Sequence, residues 1–147
     1  MKEQVVSPLK GELIEIARVS DPMFSQKMLG DGVAILPKGK ELYSPVSGEI
    51  TMIYDTQHAI GIKTAEGKDI LIHIGIDTVN LKGKPFKTKV KVGDKVQKGQ
   101  LLTVVDWRYI KLKKCDPVVP LIVMGSSIEF NGNYGDISVG EPLFNIL

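Results

Sequence analysis

The stretch Thr56-Gln57-His58-Ala59-Ile60-Gly61-Ile62-Lys63-Thr64-Ala65-Glu66-Gly67-Lys68-Asp69-Ile70-Leu71-Ile72-His73-Ile74-Gly75 holds both histidines of the chain. β-Branched runs flank Ala65-Glu66-Gly67-Lys68, which reads as two antiparallel strands closed by a glycine-containing turn. A turn centred on Ala65-Glu66 sets His58 directly opposite His73, and one centred on Glu66-Gly67 makes them diagonal neighbours. Strand side chains alternate with period two, so both registers put the imidazoles on one face, shared with Ile60, Ile62 and Leu71. Their Cβ atoms then stand roughly 4.5–5.5 Å apart when opposite and up to roughly 7–8 Å apart on the diagonal.

A lone histidine on an apolar strand is more often a satisfied core residue than a reactive one. Here all the histidines of the chain fall on one predicted face, which favours a site. Imidazole is nucleophilic when neutral and titrates near physiological pH. Such a pair suits metal binding, acid–base work or transient attachment of a phosphoryl group.

Around this hairpin, 15 glycines and 8 prolines punctuate short Val/Ile-rich segments along the whole chain. Turn signals recur at Leu36-Pro37-Lys38-Gly39-Lys40, Ser47-Gly48, Lys82-Gly83, Gly93-Asp94, Lys98-Gly99, Asn131-Gly132-Asn133 and Gly140-Glu141-Pro142. The pattern predicts an all-β fold over residues 1–147, a compact antiparallel β-sandwich or barrel in one domain with one or two short helices. In the first helix Asp21 serves as N-cap, Pro22 opens the run Met23 to Leu29, and Gly30 is placed for a left-handed C-terminal cap. The second runs from about Trp107 to Lys114 behind Asp106. Phe24 and Met28 lie one turn apart, and on so short a helix part of that face is expected to stay exposed as an interaction patch.

A chain of 147 residues buries roughly 68–70% of its unfolded surface and needs no covalent staples. The single Cys115 has no intramolecular disulfide partner and no His or second Cys nearby, so it reads as a small buried or half-buried hydrophobe. Met1 is followed by Lys2 and Glu3, which leaves no signal-peptide core, and the run Val118 to Met124 is broken by Pro120 and too short for a bilayer. A cytoplasmic location is expected. The net charge is +2, and the lysines of Lys82-Gly83-Lys84, Lys87 to Lys91 and Lys111 to Lys114 lack aromatic interleaving, so nucleic acid is not an expected partner.

Ser44-Pro45-Val46-Ser47-Gly48-Glu49-Ile50 and Val90-Lys91-Val92-Gly93-Asp94-Lys95-Val96 resemble half-motifs of biotinyl and lipoyl carrier domains, but the hairpin-tip lysine context of a swinging arm is missing. A closer resemblance joins Asp21-Pro22-Met23-Phe24-Ser25-Gln26-Lys27-Met28-Leu29-Gly30, Ser44-Pro45-Val46-Ser47-Gly48, Thr56-Gln57-His58-Ala59, Ile72-His73-Ile74-Gly75-Ile76-Asp77-Thr78-Val79 and Val92-Gly93-Asp94-Lys95-Val96. Taken together these segments resemble the glucose-type IIA domain of the bacterial phosphoenolpyruvate-dependent sugar phosphotransferase system. The resemblance implies a β-sandwich that takes a phosphoryl group from the phosphocarrier HPr and passes it to a cysteine on the IIB domain of a sugar permease. It puts His73 at the phosphorylated position, His58 at that of its partner, Thr56 at the residue that orients the partner, and Gly75 at the glycine whose carbonyl fixes the acceptor's tautomer. Asp21 and Asp77 match rim acids facing a basic donor, while Met23, Phe24, Met28, Tyr54, Leu71 and Val79 match the apolar docking surface. No cofactor is implied beyond the transient phosphoryl group on His73. The stretch Met1 to Val6 is shorter than the membrane-associating arm of some relatives, and a start at Met1 with a stop at Leu147 suggests a free-standing domain.

Two other classes compete. His58 and His73 are also ordinary zinc ligands, but a catalytic zinc normally takes three protein ligands. That leaves opportunistic zinc binding completed by a neighbour's carboxylate. The other rival is a non-catalytic regulatory interaction module, which gives no reason for both histidines to share a face.

Overall fold

Short β-branched segments between turns produce fourteen strands and two α-helices in the computed structural model, which describes residues 3–147. In chain order these are β1 (Glu3–Val6), β2 (Gly11–Glu15), α1 (Pro22–Ser25), β3 (Gly30–Pro37), β4 (Glu41–Tyr43), β5 (Gly48–Ile53), β6 (Ala59–Thr64) and β7 (Asp69–His73). There follow β8 (Phe86–Thr88), β9 (Lys95–Val96), β10 (Leu101–Val105), α2 (Trp107–Leu112), β11 (Val119–Met124), β12 (Ile128–Phe130), β13 (Gly135–Ile137) and β14 (Pro142–Ile146). Met1 and Lys2, on which the argument against a signal peptide partly rests, lie outside the described residues. No helix among those described is long and apolar enough to cross a membrane.

An eight-stranded sheet in the order β13-β2-β3-β11-β7-β6-β5-β9 faces two three-stranded sheets, β1-β14-β12 and β4-β10-β8. Every pairing is antiparallel, so the expected all-β sandwich is what forms. Ile35, Ile60, Ile62, Ile70, Ile72 and Leu121 of the large sheet share one core with Val5 and Phe144 of one small sheet and Leu42 and Leu102 of the other. On the opposite face of the large sheet a second cluster gathers Ile14, Ile16, Val19, Phe24, Ala34, Ala59, Leu71, Ile76, Val118 and Ile122. Each fully buried Ile, Leu or Phe contributes about 1.5–3 kcal/mol relative to exposure.

The register of the histidine hairpin is neither of the two expected. Strands β6 and β7 pair Lys63 with Asp69, Ile60 with Ile72 and Ala59 with His73. The connection is a three-residue loop closed by Gly67 N–H to the Thr64 carbonyl at 2.9 Å and Thr64 N–H to the Lys68 carbonyl at 2.8 Å. Gly67 takes φ 84°, the left-handed position that such loops place before the returning strand. That shift of one residue moves Ile60 and Ile62 away from His73 and into the main core. Leu71 stays on the face of His73, in the second cluster.

Helix α1 is also shorter than the sequence suggested. The Asp21 carboxylate accepts from Met23 N–H at 2.9 Å, as an N-cap should. The helix then ends at Ser25, Lys27 turns left-handed with φ 57°, and Gly30 is extended at the start of β3. Phe24 anchors the one turn at 1% exposure, whereas Met28 is 69% exposed and gives a second turn nothing to pack on. A single turn without packing does not propagate. Helix α2 follows its reading more closely. Asp106 caps it through Tyr109 N–H at 3.1 Å, and it stops at Leu112, ahead of the expected Lys114.

Candidate functional site

Strand β7 stops at His73 for a reason written in β11. The β11–β7 ladder ends at the pair Leu121 and Ile72, and the next residue of β11, Pro120, has no N–H with which to continue it. The segment that follows is released from the regular ladder and caught by other bonds. Ile74 N–H donates to the His58 carbonyl at 2.7 Å, Gly75 N–H to the Val118 carbonyl at 3.0 Å, and Ile76 N–H to the Asp116 carbonyl at 2.8 Å.

His58 lies just before β6, after Gln57 in the left-handed conformation (φ 61°). Regular alternation from Ala59 would send its side chain to the face opposite His73. Outside the strand that rule lapses, and the two rings lie 5.1 Å apart in an edge-on arrangement. The pairing foreseen from the sequence therefore exists, by a local break in the strand and not by either proposed register. Tyr54 stands edge-on to His58 at 4.9 Å between centroids, and Phe24 lies against His73 at 5.0 Å.

Each imidazole has its Nδ1 engaged. His73 Nδ1–H donates to the Gly75 carbonyl at 2.6 Å, since a carbonyl can only accept. The Thr56 hydroxyl sits 2.6 Å from His58 Nδ1. Both bonds leave Nε2 as the free nitrogen, and on His73 it carries the lone pair. Gly75 has φ 78°, and a Cβ built there would stand 2.5 Å from Thr78 Cγ2 and 3.0 Å from the Asp116 carbonyl. Glycine is required on both counts.

Electrostatics keeps the pair neutral. Burial, with a smaller like-charge contribution from His73, lowers His58 from 6.5 to about 4. His73 is also lowered by burial, against the opposing pull of its bond to Gly75 and of the Asp21 and Asp77 carboxylates. Between about pH 6.5 and 4 the unfolded chain therefore protonates a histidine that the fold holds neutral. Acidification through that window destabilises the fold through this pair.

The structure divides the predicted docking residues. Met23, Met28, Tyr54 and Val79 are 38%, 69%, 43% and 46% exposed, Asp77 is exposed and Asp21 half-buried. Phe24 and Leu71, expected on the docking surface and in the case of Phe24 in an exposed patch, are buried at 1% and 4%. They belong to the second cluster, and Phe24 lies against the His73 ring. Cys115 is partly buried against the main core, its Sγ 3.9 Å from the Asp77 and Lys113 carbonyls, as a small hydrophobe would be. No third His, Cys, Asp or Glu joins the two histidines in a metal-ligating group among the described residues. Missing from the sequence reading were Asp116, Val118 and Thr78, which hold the Gly75 segment. The sequence signals near them are Pro117 and Pro120, which break the apolar run and do not by themselves mark a site.

The family described as phosphoenolpyruvate-dependent sugar phosphotransferase system, EIIA 1, matches residues 3–128. A protein of Halalkalibacterium halodurans named PTS system glucose-specific EIIA component is 47% identical over 122 residues, 83% of this chain and 70% of that protein. The solved structure of glucose permease IIA from Mycoplasma capricolum superposes with a TM-score of 0.93 at 34% identity, over 99% of this chain and 96% of that one. With a matching fold, nearly full coverage and a family match through both histidines, the chain belongs to the EIIA 1 family of the phosphoenolpyruvate-dependent sugar phosphotransferase system and is a phosphoryl-transfer component of that relay.

Proposed function

We propose that the protein is a single cytoplasmic phosphocarrier domain in which His73 Nε2 accepts the phosphoryl group from HPr and yields it to a cysteine of a permease IIB domain. The observation that carries this reading is the 2.6 Å bond from His73 Nδ1 to the Gly75 carbonyl. It leaves a lone pair on Nε2 for in-line attack, with no general base needed. As the P–N bond to the donor breaks, the Nε2–P bond forms and the charge spreads over the phosphoryl oxygens. With Thr56 donating to Nδ1, His58 presents Nε2–H to one of those oxygens. The arriving phosphoryl dianion also favours protonated His58, since a nearby negative charge raises imidazole basicity. No resident cofactor is needed. By analogy with the glucose-specific relatives, the permease served is one for glucose or a related sugar.

Incubation with phosphoenolpyruvate, the general phosphotransfer enzyme and HPr tests the reading. Intact mass should show one added phosphoryl group that is acid-labile and base-stable. No modification with active donors, or one that survives acid, would exclude a phosphohistidine carrier.

His58→Gln is expected to accept the group at a rate near that of the unsubstituted protein, because an amide still donates to the phosphate. Onward transfer should fall by roughly 100-fold, since glutamine cannot carry the proton that balances the phosphoryl charge during transfer. Rapid-quench measurement of the two half-reactions checks this, and equal defects in both would remove the division of roles between the histidines.

The docking surface is proposed as Met23, Met28, Tyr54 and Val79, with Asp21 and Asp77 at its rim. Val79→Lys puts a charge where contact must exclude water and should slow transfer from donor and to acceptor by roughly 10-fold. Asp77→Asn keeps a residue that tolerates the left-handed backbone (φ 62°) and removes one charge. It should slow the encounter with a basic donor roughly 3-fold at low salt and converge with the unsubstituted protein at high salt. Normal bidirectional transfer by Val79→Lys would remove this surface.

A further inference from the structure

Two consecutive peptide units decide where the Gly75 carbonyl points, and each is held at both ends. In the unit joining Ile74 to Gly75, the N–H is bound by the Val118 carbonyl at 3.0 Å. Its carbonyl oxygen accepts the Thr78 hydroxyl at 2.6 Å. In the unit joining Gly75 to Ile76, the N–H is bound by the Asp116 carbonyl at 2.8 Å, and the oxygen receives His73 Nδ1–H at 2.6 Å. Three of these four bonds are made by backbone or by the acceptor histidine itself. The fourth comes from a side chain, Thr78, which is fully buried (0% exposed). Its methyl group also fills the space a Gly75 side chain would take.

From this arrangement we infer that Thr78 is a positioning residue for phosphoryl transfer, which fixes the ring-nitrogen tautomer of His73 through the Ile74–Gly75 peptide without touching the reacting atoms. The inference rests on the reading of His73 as the acceptor. A peptide plane pinned at its N–H alone can rotate about that bond, and rotation changes ψ of Ile74 and φ of Gly75. Since Gly75 lacks a Cβ, its backbone has no steric preference to oppose the rotation. The carbonyl would then leave the Nδ1–H direction, and the proton would distribute between both ring nitrogens. A ring protonated on Nε2 has no lone pair there and cannot attack. Thr78 thus steadies the backbone that carries the outer partner of an oriented imidazole; at metal-bound histidines the loss of such outer contacts typically costs about 10- to 100-fold in affinity or activity.

Three substitutions separate this role from packing. Thr78→Val keeps the shape and removes the hydroxyl, Thr78→Ser keeps the hydroxyl and removes the methyl, and Thr78→Ala removes both. Ring-nitrogen NMR of His73 reads the tautomer, rapid quench with phosphorylated HPr reads acceptance, and near-UV circular dichroism reads the fold. The expected result is a folded Thr78→Val protein with a mixed His73 tautomer and acceptance reduced about 10- to 100-fold, and a Thr78→Ser protein restored on both counts. If Thr78→Val fails to fold, the contrast between Thr78→Ser and Thr78→Ala carries the same information. An unchanged single tautomer in the hydroxyl-free variants, or equal loss in all three, overturns the inference. Failure of the unsubstituted protein to take up phosphate at His73 would instead strike the underlying reading, so the two failures are distinguishable.

Discussion

His73→Ala is expected to take up no phosphoryl group from HPr under conditions that load the unsubstituted protein fully. The remaining groups nearby do not replace it. His58 has a free Nε2, but it is only 4% exposed and, with Thr56 bound at Nδ1, holds its proton on the nitrogen that would have to attack. The Thr56 hydroxyl has no general base beyond that same weakly basic imidazole (about 4). Loss should therefore be complete within detection, while the fold survives. The deleted ring leaves one side of Phe24 less covered, a change expected to cost about 1 kcal/mol. Mass spectrometry and a thermal melt check both halves. Retained acceptance at another residue would mean that the nucleophile has been misassigned.

Gly75→Ala should lose nearly as much function by a different route. The new methyl would stand 2.5 Å from Thr78 Cγ2 on a backbone at φ 78°, so either Thr78 or the peptide must move. Strain of this kind costs about 1–3 kcal/mol, and a displacement near 1 Å in a reacting group costs about 100-fold in rate. Gly67→Ala is the matched control. It imposes the same left-handed penalty (φ 84°) with nothing within 4 Å of the new atom. Acceptance should fall about 100-fold for Gly75→Ala and stay unchanged for Gly67→Ala, which should also lose less thermal stability because it adds no clash. Equal rates in the two variants would show that the direction of the Gly75 carbonyl is irrelevant to transfer.

What could be read from the chain follows from the range over which each signal acts. The turn-punctuated β pattern, the Asp106 cap of α2 and the proximity of His58 to His73 are local features, and all appear in the structure. The hairpin register failed by one residue because a three-residue loop with Gly67 left-handed and the two-residue alternatives leave the same sequence trace. The resemblance matches Phe24 and Leu71 to an apolar docking surface, and the short helix suggests an exposed face for Phe24, but apolar character alone does not say which side of a thin layer a residue occupies. A second core cluster lies outside the large sheet, and this buries both. Substitution of Phe24 therefore tests stability and not docking. Thr78 could not be recognised from its neighbours in sequence, since its role depends on a peptide held from the other side by Val118.

The bonds around Gly75 also order the events by which the site comes into being. The β6–β7 hairpin joins segments separated by a three-residue loop, so its closure costs little chain entropy and ribosomal synthesis exposes both histidines together. The clamp supplied by Asp116 and Val118 belongs to a segment that emerges three strands and a helix later. Until that segment docks, the Gly75 backbone lacks its bonds to Val118 and Asp116 and is steadied toward His73 from one side only, by Thr78. A nascent or partly opened chain thus carries both imidazoles without a poised acceptor, and competence for transfer becomes a report on completed folding.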